Sequence, residues 1–140
     1  MSGRRLLPWA VCGGMALAMA SATVSAQKIE RKPAQPIASV QGVDTFNAYC
    51  AVCHGKDAKG NGPAAKALAK VPADLTTIAK RHGSFSQNDV ETQILGQLVS
   101  HGTREMPIWG PVFSALNGAD QSVAKLRLAN LVGYLKSIQQ

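Results

Sequence analysis

The run Cys50-Ala51-Val52-Cys53-His54 constrains this chain more than any other feature. Two thiols separated by two residues, with a histidine directly after, form the arrangement by which a c-type haem is attached. At that spacing near a helix end, each thiol can add to one vinyl group of the same porphyrin. The adjacent imidazole can then swing under the ring and ligate the iron through Nε2. A haem buried in this way adds apolar surface that the chain lacks, since its aromatics are only two Trp, two Tyr and three Phe.

Other uses of a close cysteine pair fit less well. A thioredoxin-type redox pair sits at the strand-to-helix junction of a βαβ unit, and no segment here alternates like a strand. A zinc site needs two more ligands, and His82 and His101 lie too far apart in sequence for a zinc-finger spacing. A disulfide between Cys50 and Cys53 would close a very small loop and contribute little.

The first 26 residues read as a secretory signal. Arg4 and Arg5 supply the positive start, Leu6 to Ala20 is uncharged and apolar, and Val24-Ser25-Ala26 offers the small residues a signal peptidase reads. A membrane span needs ~20 apolar residues, so an uncleaved anchor is the weaker reading. Arg4-Arg5 matches a twin-arginine signal poorly, and Cys12 lacks the small residue a lipoprotein site wants before it.

Cleavage after Ala26 removes Cys12 and leaves Cys50 and Cys53 as the mature cysteines; Met106 becomes the single methionine. The mature chain holds 13 Lys and Arg against 8 Asp and Glu, a charge of +5. Without a nucleic-acid-binding motif in an exported chain, that charge argues against a nucleic-acid partner. It fits either a solvated surface or docking to an acidic redox protein.

The expected organisation is a signal peptide at 1–26, a flexible leader at 27–41 with Pro33 and Pro36, and one domain at 42–140. Val43, Phe46, Tyr49 and Cys50 mark a short amphipathic helix. Lys56 to Gly62 is loop, and Pro63 followed by Ala64 to Lys70 predicts a helix ended by Pro72. Ser86 is an expected N-cap, with Phe85 and Val90 as a hydrophobic staple; Val90, Ile94 and Leu98 share a face, and Gly102 is the expected stop. Ala124, Leu128, Leu131, Leu135 and Ile138 form the core stripe of a last helix from about Asp120 to Ser137. The fold class is all-α, with four or five short helices around the haem.

Tyr49-Cys50-Ala51-Val52-Cys53-His54-Gly55, then Met106-Pro107, then Leu131-Val132-Gly133-Tyr134-Leu135 in a terminal helix together resemble the class I monohaem cytochrome c family, of the small bacterial periplasmic type. The resemblance covers roughly residues 42–138. It implies that the first and last helices cross, with Phe46 and Tyr134 as the aromatics and Gly42 as the small residue. Gly133 costs ~1 kcal/mol inside a helix relative to Ala, which close backbone approach would offset; otherwise it is simply tolerated. The resemblance also implies a hydrogen bond from His54 Nδ1–H to the Pro63 carbonyl, and a haem-lining stretch at Pro72-Ala73-Asp74-Leu75-Thr76. Leu68, Leu75, Ile94, Leu98 and Trp109 are expected as pocket wall, a role that overlaps with ordinary core.

The second axial ligand is expected to be Met106, whose loop Pro107 stiffens. A thioether favours Fe(II) and raises the potential over a two-histidine site. The alternatives are that Met106 fills core space or that His101 takes its place. The expected function is one-electron transfer by an exported, periplasmic carrier rather than by an enzyme, with haem c as cofactor. Its partners would be redox donors and acceptors such as a membrane oxidase or a periplasmic dehydrogenase. The other readings are a haem-c subunit of a larger oxidase or dehydrogenase complex, and a haem enzyme or gas sensor with an open iron. Lys56, Lys59, Lys66 and Lys70 are expected to rim the haem edge and steer partners.

Overall fold

The computed structural model describes residues 33–97, 106–116 and 120–140. The expected signal peptide, residues 27–32 of the leader, Leu98, His101 and Gly102 lie outside the described residues. Those described are helical, with no strand: α1 (Gly42–Tyr49), α2 (Ala51–His54), α3 (Ile78–His82), α4 (Gln87–Ile94), α5 (Trp109–Leu116) and α6 (Gln121–Ser137). Two single 3₁₀ turns, Ala65–Ala67 and Leu75–Thr77, lie between α2 and α3.

The longest helix organises the rest. Asp120 caps α6, its carboxylate accepting from the N–H groups of Ser122 at 2.9 Å and Val123 at 3.3 Å. The expected stripe is buried: Ala124, Leu128, Leu131 and Leu135 all face the core, with Val132 beside them and Ile138 half-buried. α1, α4 and α5 all pack on this helix.

The α1–α6 contact needs a glycine, and that glycine is Gly42. A β-carbon there would sit 2.1 Å from the Asn130 carbonyl oxygen and 2.7 Å from Tyr134 Cβ. Phe46 and Tyr134 meet at the contact, ring centroids 5.4 Å apart. Gly133 has no such duty. A β-carbon on it would meet nothing within 4 Å, so of the two readings of that glycine simple tolerance stands.

Part of the stretch expected to be a flexible leader is tied down. Arg127, 1% exposed in the middle of α6, donates to the carbonyls of Ser39 at 2.6 Å and Ile37 at 3.0 Å. Asn130 Nδ2 donates to Val40 O at 2.9 Å, and Tyr49 Oη donates to Gln35 O at 2.9 Å. A run of prolines and cations predicts mobility only while nothing binds its backbone, and here four carbonyls are bound.

Ser86 caps α4 as expected, its hydroxyl accepting from Asp89 N–H at 3.3 Å. The helix stops earlier than expected. Gly96 adopts φ +71°, its N–H donates to Gln93 O, and Gln97 N–H reaches back to Thr92 O. That paired pattern is a Schellman ending, and it makes Gly96 the stop in place of Gly102. The expected helix over Ala64 to Lys70 is only the turn Ala65–Ala67, with Leu68 extended at φ −92°, ψ 144°. A helix that short is marginal on propensity alone.

Helix α5 had no counterpart in the sequence reading, although Trp109, Val112, Phe113 and Leu116 have the spacing of a helical face. Gly110 and Pro111 disguise it, but in a first turn a proline costs little. Among the described residues, no helix is long and apolar enough to cross a membrane.

Candidate functional site

Helix α2 is one turn long and does not stand on its own propensity. The four last carbonyls of a helix have no partner within it, and here every one is met by the loop that follows. Gly55 N–H donates to Ala51 O at 2.9 Å, Ala64 to Val52 O at 2.9 Å, Gly62 to Cys53 O at 3.0 Å and Gly60 to His54 O at 2.7 Å. The loop therefore folds back under the Cys-Ala-Val-Cys-His turn and freezes it. Gly62 allows this approach: a β-carbon there would be 2.5 Å from Val52 O, 2.6 Å from the Cys53 carbonyl carbon and 2.7 Å from Ala51 O.

His54 is partly buried and faces a second segment. Its Nδ1 lies 3.0 Å from the Ala73 carbonyl oxygen. A carbonyl only accepts, so Nδ1 carries the proton and donates. Burial lowers the pKa of the ring below its ordinary value, and the Ala73 hydrogen bond opposes that in smaller measure. With Nδ1–H donating to Ala73, the uncharged ring has its lone pair on Nε2, the form that ligates a metal. The Pro63 carbonyl does not take this hydrogen bond. Pro63 is exposed, and the loop after Gly62 turns away to bond Val52 through Ala64.

Ala73 is held in turn. The Asp74 carboxylate accepts from the Thr76 hydroxyl at 2.6 Å and the Thr76 N–H at 2.9 Å, and Leu75 N–H donates to Ala58 O at 2.8 Å. The Gln139 amide fastens the stretch to the end of α6, donating to Leu75 O at 2.8 Å and accepting from Ala79 N–H at 2.9 Å. Nothing in its sequence neighbourhood marks Gln139 for this task.

Cys50 and Cys53 are half-buried thiols, not a disulfide. Burial, and then the nearby Cys53, push the Cys50 thiol up to about 12. Two thiols and an imidazole oriented by a backbone carbonyl, on one helical turn, fit a haem: the thiols can form thioethers and the imidazole can ligate iron. Among the described residues no three His, Cys, Asp or Glu side chains gather as a metal cluster, so zinc has no ligand set there. The absence of a strand among the same residues removes the thioredoxin alternative.

The model of the family described as cytochrome C oxidase, cbb3-type, subunit III matches residues 38–120, more than half of the chain. The chain belongs to this cytochrome c family. It carries covalently bound haem c, and its chemistry is haem-based electron transfer. Neither the curated proteins nor the solved structures contain a match to it.

The other candidate residues of this cytochrome occupy different settings. Leu68 and Leu75 are half-buried, Leu75 packing against the core. Ile94 and Trp109 are core residues, 5% and 8% exposed. Met106 is half-buried against the core, three residues before Trp109. His82 is exposed at the end of α3. Leu98 and His101 are among the residues not described. Trp109 stacks at a tilt on Tyr49, 5.7 Å between centroids, which ties α5 to the residue directly before Cys50.

Proposed function

We propose that this cytochrome is an exported one-electron carrier, cleaved after Ala26, with haem bonded through thioethers to Cys50 and Cys53 and iron ligated by His54 and Met106. The observation that carries this reading is the His54 ring. It donates Nδ1–H to Ala73 O at 3.0 Å and adjoins two thiols on the same turn. Bound there, the haem supplies one-electron exchange between Fe(III) and Fe(II).

The chain's own residues give that exchange its character. Ala73 O fixes the imidazole plane and raises its basicity as a ligand. The four hydrogen bonds under α2 keep Cys50, Cys53 and His54 from rearranging when the iron changes charge. Leu68 and Leu75 offer apolar surface near α2, and Val52 and Val71 are exposed. Met106 would hold the iron through its thioether, which would keep small ligands off it and favour the reduced state.

Charge supports a docking role for the same region. Residues 55–82 hold Lys56, Lys59, Lys66, Lys70, Lys80 and Arg81 against Asp57 and Asp74, +4 of the +5 on the mature chain. A positive field centred beside the attachment turn steers an acidic donor or acceptor toward it.

The test is the intact mass of the exported protein, expected at residues 27–140 plus one haem, together with oxidised and reduced absorption spectra. A detergent-requiring species that retains Arg4 and Arg5, or a haem released by acid extraction, defeats the reading. The second reading, a haem-c subunit of a larger oxidase or dehydrogenase, draws on the oxidase-subunit description of the matching family. Native mass of the protein purified under mild conditions separates it from a free carrier.

A further inference from the structure

The segment that follows Met106 is pinned from two sides. On one side it rests on the end of α4: a β-carbon built on Gly96 would lie 2.8 Å from Ile108 Cγ1, and one built on Gly110 would lie 3.1 Å from Leu95 Cδ2. On the other side the Trp109 indole packs on Tyr49 at 5.7 Å and on Phe113 at 5.5 Å, while Tyr49 and Phe113 themselves meet at 5.9 Å. All three rings are buried.

Tyr49 is an unusually firm wall for this contact. It is the last residue of α1 and directly precedes Cys50. Its hydroxyl is held by Gln35 O at 2.9 Å, so the ring is fastened at both ends. The backbone before Cys50 is fixed as well, since Cys50 N–H donates to Phe46 O at 2.8 Å. Between Trp109 and Met106 lie only Pro107 and Ile108, and Pro107 restricts the backbone of Met106 to extended conformations.

We propose that Trp109 is a positioning residue: by wedging against Tyr49 it references the Met106 thioether to the same α1–α2 turn that carries Cys50, Cys53 and His54. This rests on the reading of Met106 as the sixth ligand. The wedge converts a loop methionine into a persistent ligand, because each excursion of Met106 must drag the indole out of a closed aromatic cluster. Aromatic contacts of this kind shift a two-state balance by roughly tenfold.

The test uses the haem-loaded protein and Trp109→Leu, Trp109→Phe and Tyr49→Leu. The readouts are the sulfur-to-iron near-infrared band, the reduction potential, and carbon monoxide binding to the ferrous form. Trp109→Leu and Tyr49→Leu are expected to keep the covalent haem, weaken the band, lower the potential and speed carbon monoxide binding by roughly tenfold or more. Trp109→Phe falls between them and the wild type, and still reports if the leucine variants do not accumulate. Leu131→Ala, a core truncation on α6, serves as control and leaves carbon monoxide binding unchanged. If the wild type shows the band and the Trp109 variants bind carbon monoxide no faster, the positioning role is wrong while Met106 ligation stands. An equal rise in Leu131→Ala also overturns it, by reducing the effect to general stability. A wild type without the band overturns the ligation reading itself and this inference with it.

Discussion

One substitution, placed at two glycines, separates the two uses of glycine in this fold. Gly62→Ala puts a methyl group 2.5 Å from Val52 O, 2.6 Å from the Cys53 carbonyl carbon and 2.7 Å from Ala51 O. All three neighbours are backbone, so no side chain can swing aside. The loop must lift from α2. Lifting it breaks the bonds from Gly62 N–H to Cys53 O and from Ala64 N–H to Val52 O. Each is worth ~1 kcal/mol net, and a carbonyl left dry costs ~1–3 kcal/mol more, so the expected loss is about 2–5 kcal/mol.

Gly133→Ala meets nothing within 4 Å and lies in the middle of α6, which spans Gln121–Ser137. There the added methyl reduces the freedom of the unfolded chain and favours helix, a gain of ~0.5–1 kcal/mol. Urea unfolding of the haem-loaded proteins, followed by far-ultraviolet circular dichroism and by haem absorption, measures both. Opposite signs are expected. A Gly62→Ala protein within about 1 kcal/mol of wild type would refute the packing of the loop beneath the attachment turn. A destabilised Gly133→Ala protein would refute the open space assigned to that position.

Met106→Ala should abolish the sulfur-to-iron band, lower the potential and admit carbon monoxide, while His101→Ala leaves the band intact; comparing the two spectra identifies the sixth ligand. Arg127→Met removes the donor from Ser39 O and Ile37 O and should cost about 2–4 kcal/mol, less than the full penalty of stranded carbonyls because residues 35–40 can lift into water; the same variant should become sensitive to limited proteolysis within 33–41. The Asp74 carboxyl is held below its ordinary range chiefly by the Thr76 hydroxyl and then by its N–H, and Asp57 chiefly by Asn61. Their stabilising effect is therefore complete above the unfolded carboxyl pKa of about 4 and is lost as pH falls through the lower folded values; urea midpoints between pH 3 and 7 should fall at the acid end, less steeply in Asp74→Asn. Paired Lys56→Glu and Lys59→Glu changes should slow stopped-flow reduction by an acidic partner and flatten its dependence on ionic strength, and an unchanged salt slope would reject steering.

Much of this cytochrome is legible along the chain because the relevant physics is local. Cys50, Cys53 and His54 declare their chemistry by spacing, since one helical turn brings two thiols and an imidazole to one ring whatever surrounds them. The cap at Ser86 follows from a side chain bonding an N–H three residues on, and the start and stripe of α6 follow from helical periodicity. The all-α class is a sum of such local signals.

What the sequence leaves open is every choice made by a distant backbone. The partner of His54 is a carbonyl, a group every residue carries, so only the path of the chain selects Ala73 over Pro63. Gly42 and Gly133 are alike as letters, and only the approach of Asn130 makes the first necessary and the second incidental. The seven strong helix formers from Ala64 to Lys70 yield a single 3₁₀ turn, because so short a helix is marginal on propensity alone and Leu68 is extended. Arg127 reads as one more surface cation until Ile37 and Ser39 close over it. Side-chain chemistry and periodicity are written into the residues themselves; hydrogen bonds to a uniform backbone and contacts at van der Waals distance exist only once the tertiary structure has brought distant residues such as Ile37, Ala73 and Asn130 to their places.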